Sequence, residues 1–235
     1  IRLMDFEPYE VSTDVTAAPA IDVDKIAADI IGDPVNATVS KKDGKTIIAG
    51  KAGVSFDTDK AREIIGDGSQ ETYTIPVTIT QPSITAETLK AKLFHDTLAR
   101  TATNLDEGNA PRTNNIRLAA KAINGTILNP GDEFSYNGTV GERTAARGYQ
   151  EAHAYSGGKI IDEFGGGVCQ PSSTLYMAVL RADLKVTERH NHSFTVSYTP
   201  LGEDATVDYG NLDFRFVNNT AYPVKILAEQ TDGQM

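Results

Sequence analysis

The first part of the chain alternates between apolar spacings typical of short helices and of short strands. The spacing predicts one amphipathic helix, with Ile21, Ile26, Ile30 and Ile31 on its apolar side. It then predicts a hairpin with strands over 37–40 and 46–49 around the turn Asp43-Gly44, a second helix over 59–65 and an alternating strand over 73–80. Pro76 has no backbone N–H, so this strand is expected at a sheet edge or bulge. We therefore predict a small α+β module.

The second part of the chain follows a polar stretch over about 99–112, which is interpreted as a linker. A helix capped by Asn114 is predicted next, with apolar positions at Ile116, Ala119, Ala120 and Ile123 and an end at Gly125. A turn over 129–131 precedes a strand over 133–136, and the alternation of Leu212, Phe214 and Phe216 predicts a late strand. The fold class expected is α+β, with a mixed, mostly antiparallel sheet and packed helices in this second part of the chain.

Composition limits the classes of partner. The 235 residues have room for two ordinary domains or one large one. Lys and Arg number 22 against 32 Asp and Glu, which gives a net charge of -10 and argues against a nucleic-acid partner. One cysteine excludes an intrachain disulfide framework. No apolar run is long enough for a membrane span, and the chain starts at Ile1, so we expect an N-terminal anchor or signal to be missing from this sequence.

The single cysteine has the setting of a nucleophile. Cys169 follows Gly165-Gly166-Gly167-Val168 and directly precedes a helix predicted over about 171–182, with Pro171 in its first turn. Free backbone N–H groups and the helix dipole lower the pKa of a thiol at such a position. The alternative is a small buried hydrophobic residue. Glycine turns that lead a nucleophile into a helix recur in enzymes, which favours the catalytic interpretation.

A cysteine nucleophile needs a base, and four histidines are available: His95, His153, His190 and His192. An alternating stretch over 187–198 predicts a strand on which His190 and His192 share a face. A histidine pair on a solvated strand face is the alternative. A zinc site is less favoured, because one cysteine and two nearby histidines lack the paired spacing of structural zinc ligands. No metal and no cofactor are predicted.

Several ordered blocks across residues 100–230 together resemble the VanW domain. They are Asn115-Ile116, Asn124-Gly125, NPGDEFS at 129–135, VGERT at 140–144, Gly148-Tyr149, GGGVCQPSSTLY at 165–176, ERHNHS at 188–193 and GEDAT at 202–206. The resemblance implies a peptidoglycan L,D-transpeptidase that makes 3-3 cross-links through a cysteine. It places a VanW domain at 99–235.

Residues 19–98 resemble the YoaR-type module, assigned to peptidoglycan binding, that commonly precedes a VanW domain. Glycan binding and a spacer role both remain open for this module, and binding is favoured. Residues 1–18 faintly echo the segment 74–84 and are interpreted as the tail of a preceding module.

The resemblance also implies which residues act together with Cys169 in catalysis. The Asn-His-Ser segment that matches the family pattern makes His192, rather than His190, the expected base. Asp204, in the turn Gly202-Glu203-Asp204-Ala205, is expected to orient His192 as the third member of a triad. A turn aspartate that bonds its own backbone is the alternative.

Further residues are expected to bind the substrate. The backbone around Gly167, Val168 and Gln170 is expected to hold the oxyanion, with the Gln170 amide or the Ser173 hydroxyl as additional donors. Arg189 is expected to pair with a substrate carboxylate. Its alternative is a structural ion pair with Glu188 or Glu203.

The expected partners are peptidoglycan stem peptides and glycan, with no nucleic acid and with membrane attachment only through the missing anchor. The expected location is the cell wall or surface of a Gram-positive bacterium. Two other functions remain open: a cysteine peptidoglycan hydrolase, and a non-catalytic wall-binding or glycopeptide-resistance accessory protein.

Overall fold

A computed structural model describes residues 9–12, 21–70, 72–156 and 159–235, and it divides the chain into two compact units. The first unit comprises 1–38 and 47–91, and the second comprises 39–46 and 92–235. Of the segment 1–18, interpreted above as the tail of another module, only 9–12 lies within the described residues. It forms a strand of the first unit.

The described residues up to Lys92 form short strands and helices. In chain order they are β1 (Tyr9–Ser12), α1 (Val23–Ile30), β2 (Thr38–Val39), β3 (Ile47–Ile48), β4 (Gly53–Ser55), α2 (Thr58–Ile65), β5 (Thr72–Ile75), β6 (Thr78–Thr80) and α3 (Ala86–Lys92). Strand β1 pairs with β5 and β4 with β6, both antiparallel, while β2 pairs with β3.

Local sequence explains where the first two helices begin. Asp22 caps α1 by accepting a hydrogen bond from the Lys25 N–H (3.0 Å), and Asp57 caps α2 by accepting from Asp59 and Lys60. The apolar faces of the helices and of β5 form one core, made of Val23, Ala61, Ile65, Tyr73 and Ile75.

The single strand predicted over 73–80 is wrong. The chain forms two strands, β5 and β6, which are separated at Pro76 and Val77 and pair with different partners. Because Pro76 cannot donate to a ladder, it ends one pairing and lets the next begin.

The second unit has helices on a small sheet. Its elements are α4 (Ala110–Ile123), β7 (Ile127–Leu128), β8 (Glu133–Ser135), α5 (Tyr136–Val140), a 3-10 turn (Ala145–Arg147), β9 (Glu151–Ser156), β10 (Lys159–Phe164), α6 (Cys169–Arg181), β11 (Lys185–Glu188), β12 (Arg215–Val217) and β13 (Val224–Lys225). The central sheet has the order β11-β12-β8 and is antiparallel. Two further antiparallel pairs are β9 with β10 and β13 with β7.

Aromatic rings join α6 to the central sheet. The Phe214 ring lies 5.6 Å from that of Phe216 and 5.5 Å from that of Tyr176 on α6, and Phe134 and Phe216 are 5.0 Å apart between centroids. Such pairs add about 0.5–1.5 kcal/mol each to their area burial. The core therefore fixes the helix that begins with Cys169, and the α+β class is confirmed.

The polar stretch over 99–112 is not a linker throughout. Thr103 and Leu105 are buried, and Thr103 exchanges two backbone hydrogen bonds with Met235. Helix α4 begins at Ala110 rather than after Asn114, because the Asn109 side chain accepts from the Arg112 N–H (3.1 Å) and Pro111 fits the first turn.

The strand predicted over 187–198 is also wrong beyond its first residues. Strand β11 ends at Glu188, and His190 forms only an isolated bridge with Thr206. The His192 N–H donates to the Asp204 carboxylate instead of to a neighbouring strand. A side chain therefore takes the place of a ladder partner at this point. No helix in the described ranges is both long and apolar enough to cross a membrane.

Candidate active site

Cys169 is the first residue of α6 and follows a tight turn formed by the glycines. The N–H groups of Val168 and Gln170 donate to Gly165 O (3.1 Å) and Gly167 O (3.0 Å). Gly167 has a φ of 103°, in the left-handed region that glycine tolerates. The turn and the helix start thus fix the direction of the thiol.

Two side chains that the sequence analysis missed hold this turn from inside. Asn115, fully buried on α4, donates to Gly166 O (3.0 Å) and to Gln150 O (2.8 Å) and accepts from the Gln150 N–H. The Tyr136 hydroxyl donates to Val168 O (2.8 Å). Asn115 stands in one of the blocks that resemble the family, but its position on the buried side of α4 carries no chemical signal of its own.

The thiol lies against the segment that follows Asp204. Its Sγ is 3.5 Å from the Thr206 hydroxyl, 3.4 Å from Val207 O and 3.5 Å from Val207 N. Ser173, one turn along α6, accepts from the Ala205 N–H (3.0 Å) and donates to Cys169 O (2.8 Å). This hydroxyl therefore ties the first turn of α6 to the segment that carries Thr206.

His192 and Asp204 form a close pair beside the thiol. His192 Nδ1 lies 2.6 Å from Asp204 Oδ2, and the same oxygen accepts from the His192 N–H at 2.7 Å. The His192 side chain is only 7% exposed. Because the carboxylate accepts from Nδ1, the imidazole leaves Nε2 for other partners, and His192 and the thiol interact strongly enough to shift the pKa of each other. Cys169, His192 and Asp204 thus have the arrangement of a Cys-His-Asp triad.

Tyr198 lies close to His192 and is a third residue that the sequence analysis missed. Its hydroxyl is 3.4 Å from His192 Nε2, and the two rings meet edge to face with centroids 6.3 Å apart. Burial raises the pKa of Tyr198 well above its ordinary range, so the hydroxyl remains protonated and able to donate. It stood within the stretch interpreted as a regular strand, where nothing distinguished it from its neighbours.

The charges of the triad support one another. Burial acts to raise the pKa of the Cys169 thiol, but hydrogen bonds from His192, Thr206 and the Val207 backbone outweigh it and lower the pKa. Burial acts to lower the pKa of His192, but the hydrogen bond and charge of Cys169, and then those of Asp204, raise it. Both shifts therefore act in favour of the thiolate and the imidazolium.

Asp204 remains ionised beside this pair. Burial acts to raise the pKa of its carboxyl, and the hydrogen bonds from the His192 backbone and ring, with the charges of His192 and Arg189, lower it. A carboxylate with a lowered pKa accepts from Nδ1 throughout the neutral range.

Arg189 contacts Asp204 and lines a pocket together with His192 and Asp204. Its Nε donates to Asp204 O (2.7 Å) and its Nη2 to Asp204 Oδ1 (2.9 Å), and the guanidinium lies 5.2 Å from the centroid of the Tyr176 ring. The expected contact of Arg189 with a substrate carboxylate stays a prediction. Within the described residues, the alternative partners named above, Glu188 and Glu203, do not pair with Arg189; Glu203 pairs with Arg181 (2.7 Å).

Several of the groups expected to bind the oxyanion already donate hydrogen bonds to other parts of the protein. The Gln170 amide donates to Thr103 Oγ1 (2.9 Å) and Asn104 O (2.8 Å) and accepts from Arg112, so it points away from the thiol. The Ser173 hydroxyl donates to Cys169 O, and the Val168 and Gln170 N–H groups donate within the glycine turn. The Cys169 N–H has no acceptor among the described residues.

The other histidines lie apart from this set. His190 pairs with Glu188 (3.1 Å), and His153 pairs with Asp162 on the exposed β9–β10 hairpin. Within the part of the chain that the structure describes, no group of three or more His, Cys, Asp or Glu side chains is arranged to hold a metal ion.

Comparison with known proteins gives the family. A model of the family described as VanW like protein matches residues 111–235, which include the whole Cys-His-Asp arrangement. The chain is 35% identical over 208 residues to the uncharacterized protein YoaR of Bacillus subtilis (strain 168), a match that covers 86% of this chain and 67% of YoaR.

A second relative has a named role. The Vancomycin B-type resistance protein VanW of Enterococcus faecalis (strain ATCC 700802 / V583) is 32% identical over 111 residues, which cover 45% of this chain and 40% of that protein. No solved structure matches the chain significantly. The chain belongs to the VanW family.

Proposed function

We propose that the protein is a cysteine-dependent peptidoglycan L,D-transpeptidase that forms 3-3 cross-links. The observation that carries the proposal is the grouping of three side chains, in which Asp204 holds His192 Nδ1 at 2.6 Å and His192 in turn acts to lower the pKa of the Cys169 thiol. A lowered thiol pKa at a helix start is the property of an activated cysteine nucleophile. The vancomycin resistance named for the Enterococcus relative supports a substrate in the cell wall.

Acylation begins with the thiolate. Cys169 Sγ attacks the carbonyl carbon between the third and fourth residues of a tetrapeptide stem and forms a C–S bond. His192 Nε2 donates its proton to the departing amine as the C–N bond breaks, and D-Ala leaves. The product is a thioester between Cys169 and the third residue.

Transfer reverses these proton movements. The side-chain amine of a second stem attacks the thioester carbonyl, and His192 Nε2 accepts a proton from that amine as the C–S bond breaks. The thiolate returns and an amide links the two stems. Asp204 keeps the imidazole in one orientation through both steps.

The developing oxyanion needs donors near Sγ. The Cys169 N–H, which has no acceptor within the described residues, and the Tyr198 hydroxyl, beside His192 Nε2, are the groups that support this role. Both take the place of the Gln170 amide and the Ser173 hydroxyl, which are engaged in the fold.

We extend the proposal to the whole chain. The first unit binds glycan strands, and the protein acts outside the cell at the wall of a Gram-positive bacterium. The 35% identity to YoaR along most of the chain supports treating both units as parts of one cell-wall protein.

Intact-mass spectrometry tests the enzyme. The full chain is incubated with a purified tetrapeptide-stem muropeptide, and we expect an adduct equal to the stem minus D-Ala. Cys169→Ala should give no adduct, while Asp183→Ala, a change in an exposed turn after α6, should behave as the parent. Absence of any adduct on the parent chain would contradict acyl transfer.

The products separate the transferase from the hydrolase. Liquid chromatography of the same reaction should yield a 3-3 cross-linked dimer for a transpeptidase and a free tripeptide stem for a hydrolase. The triad fits both, since water and an amine attack the same thioester. A dimer that depends on Cys169 supports the proposal, and tripeptide alone assigns the hydrolase.

A further inference from the structure

Arg143 is buried without an anion. Only 9% of the residue is exposed, and none of its three guanidinium nitrogens has a hydrogen-bond partner among the described residues. Its charge lies between two aromatic rings, 5.8 Å from the Tyr136 centroid and 5.7 Å from the Tyr209 centroid. This is a charge that the fold holds in place and leaves uncompensated by a carboxylate.

The energetics make this arrangement unusual. Burying an unpaired charge costs several kcal/mol, even after relaxation of the surroundings. Two cation–π contacts return about 0.5–2 kcal/mol each. They satisfy none of the five N–H donors, which point along the plane of the guanidinium rather than toward a ring face. A planar anion that accepts from those donors would complete the site.

The neighbours of Arg143 connect it to the nucleophile. A Cβ at Gly165, the first residue of the turn before Cys169, would lie 2.6 Å from the Arg143 Cβ, so the arginine packs directly on that turn. The Tyr136 hydroxyl donates to Val168 O, one residue before Cys169. Tyr136 thus contacts both the Arg143 guanidinium, through its ring, and the residue before the nucleophile, through its hydroxyl.

Tyr209 covers the other face of the guanidinium. Tyr209 lies two residues after Val207, whose backbone contacts Sγ. Half of the residue (50%) is exposed to solvent. An exposed ring on a turn can move aside at small cost in buried area. The Tyr136 ring is fully buried and cannot move aside at so small a cost.

We propose that Arg143 binds the terminal carboxylate of the donor stem, with Tyr209 as the ring that gives way to it. The inference rests on the proposed function. In a tetrapeptide stem this carboxylate is separated from the attacked carbonyl carbon by one amide nitrogen and one α-carbon, so it lies close to Sγ during acylation. The site therefore selects donors that end one residue beyond the bond that breaks.

Other arginines near the thiol are occupied by the protein. Arg189 donates to Asp204, and Arg112 donates to Gln170 Oε1 (2.7 Å). Arg143 is the arginine whose planar donors are available to match a carboxylate in bidentate fashion.

The test compares two stems that differ only at the terminus. The full chain is acylated by a tetrapeptide stem with a free C-terminal carboxylate and by the same stem as its carboxamide, and thioester formation is followed by intact mass. We expect the parent chain to prefer the carboxylate by about 10- to 100-fold, as expected for one charged hydrogen-bonded pair.

Arg143→Met should bring the preference close to 1 by slowing the carboxylate stem and leaving the carboxamide rate unchanged. Arg117→Met, which alters an exposed arginine of α4, should keep the parent preference. Alkylation of Cys169 by iodoacetamide at the parent rate verifies that each variant retains the dyad.

The possible results distinguish failure of the carboxylate site from failure of the proposed function. Should Arg143→Met fail to fold, Arg143→Lys decides, because a lysine keeps the charge without the planar fork and is expected to lower the preference several-fold. A parent-like preference in the folded variant overturns the carboxylate site and leaves the proposed function intact. Absence of a thioester with either stem on the parent chain overturns the proposed function itself, and this inference with it.

Discussion

Cys169 and His192 each stabilise the charged form of the other. The thiol pKa is lowered despite burial by His192, Thr206 and the Val207 backbone, and the imidazole pKa is raised despite burial by Cys169 and Asp204. The thiolate forms as pH rises through the lowered thiol pKa. The imidazolium is lost as pH rises through the raised histidine pKa. Both shifts therefore act in favour of the pair of thiolate and imidazolium over the pair of neutral groups.

Alkylation against pH measures the first of these pKa values. The rate of reaction of Cys169 with iodoacetamide should rise with a midpoint below about 8.5, the ordinary value for cysteine. His192→Ala should move the midpoint above that of the parent, since burial then acts with less opposition. Thr206→Val, which removes the hydroxyl 3.5 Å from Sγ, should move it in the same direction by less. A parent midpoint at or above the ordinary value would contradict the ion pair.

A second prediction follows from the contact between Asp204 and Arg189. Asp204→Asn should slow thioester formation by about 10²- to 10⁴-fold, because the imidazole loses the acceptor that fixes its orientation. Arg189→Met should slow it less, because Arg189 acts on the imidazole only through Asp204. The double variant should be no slower than Asp204→Asn alone. An additive loss in the double variant would instead indicate an independent role for Arg189.

The sequence pointed to some site residues more readily than to others. Cys169 stands in a glycine run before a helix, and His192 and Asp204 stand in blocks that resemble the family, so their chemistry was visible. Tyr198 and Thr206 were not, because an irregular segment between β11 and β12 brings them to the thiol. The contact of Arg189 with Asp204 was not expected either, because the pattern cannot tell which carboxylate of the protein an arginine will meet.

At the scale of elements, the start of α6 depends on close packing of the glycine turn. A Cβ at Gly166 would lie 2.2 Å from Ala152 O, a backbone atom that cannot move without displacing β9. At Gly167 it would meet Arg112 Cγ at 2.7 Å, and the φ of 103° adds strain. The two glycines therefore fix the turn for different reasons.

Alanine substitutions should separate these reasons. Gly166→Ala should lower the free energy of unfolding by about 1–3 kcal/mol and slow alkylation of Cys169, since the turn must shift away from β9. Gly32→Ala, where nothing lies within 4 Å of the added Cβ, is the matched control and should have little effect. Chemical denaturation measures both. Equal stability of the two variants would show that the turn tolerates displacement.

Helices were easier to predict than strands. Helices α1, α2 and α6 were expected close to where they occur, because their apolar spacing and capping residues are local signals. The strands predicted over 73–80 and 187–198 failed because alternation does not report whether a partner strand is present. Hydrogen bonding to a carboxylate or a change of partner, as at His192 and Pro76, is a tertiary event.

At the scale of the whole molecule, the candidate chemistry belongs to the second unit. That unit also includes 39–46 from early in the chain. There the Asn129 side chain accepts from the Val39 N–H (2.9 Å) and donates to Val39 O (3.0 Å), and Lys41 pairs with Asp132 (2.6 Å). A chain that starts at Lys92 therefore lacks eight residues that stabilise the unit.

The fragment from Lys92 to Met235 tests whether acylation depends on the second unit alone and binding to sacculi on the first. The main core of the unit is made of residues from Ala119 onward, so we expect the fragment to fold, less stable by about 1–3 kcal/mol for the lost hydrogen bonds. It should acylate with small muropeptides at about the rate of the full chain. It should bind isolated sacculi more weakly, because the first unit raises the local concentration of polymeric substrate.

Asn129→Ala in the full chain is the control for stability. It removes the hydrogen bonds to Val39 while keeping the first unit, so it should lose stability but bind sacculi as the parent does. Pelleting with sacculi and thermal unfolding measure the two properties separately. If the fragment binds sacculi as tightly as the full chain, the first unit has no part in binding. If Asn129→Ala binds as weakly as the fragment, the lost stability of the second unit, rather than the missing module, accounts for the difference.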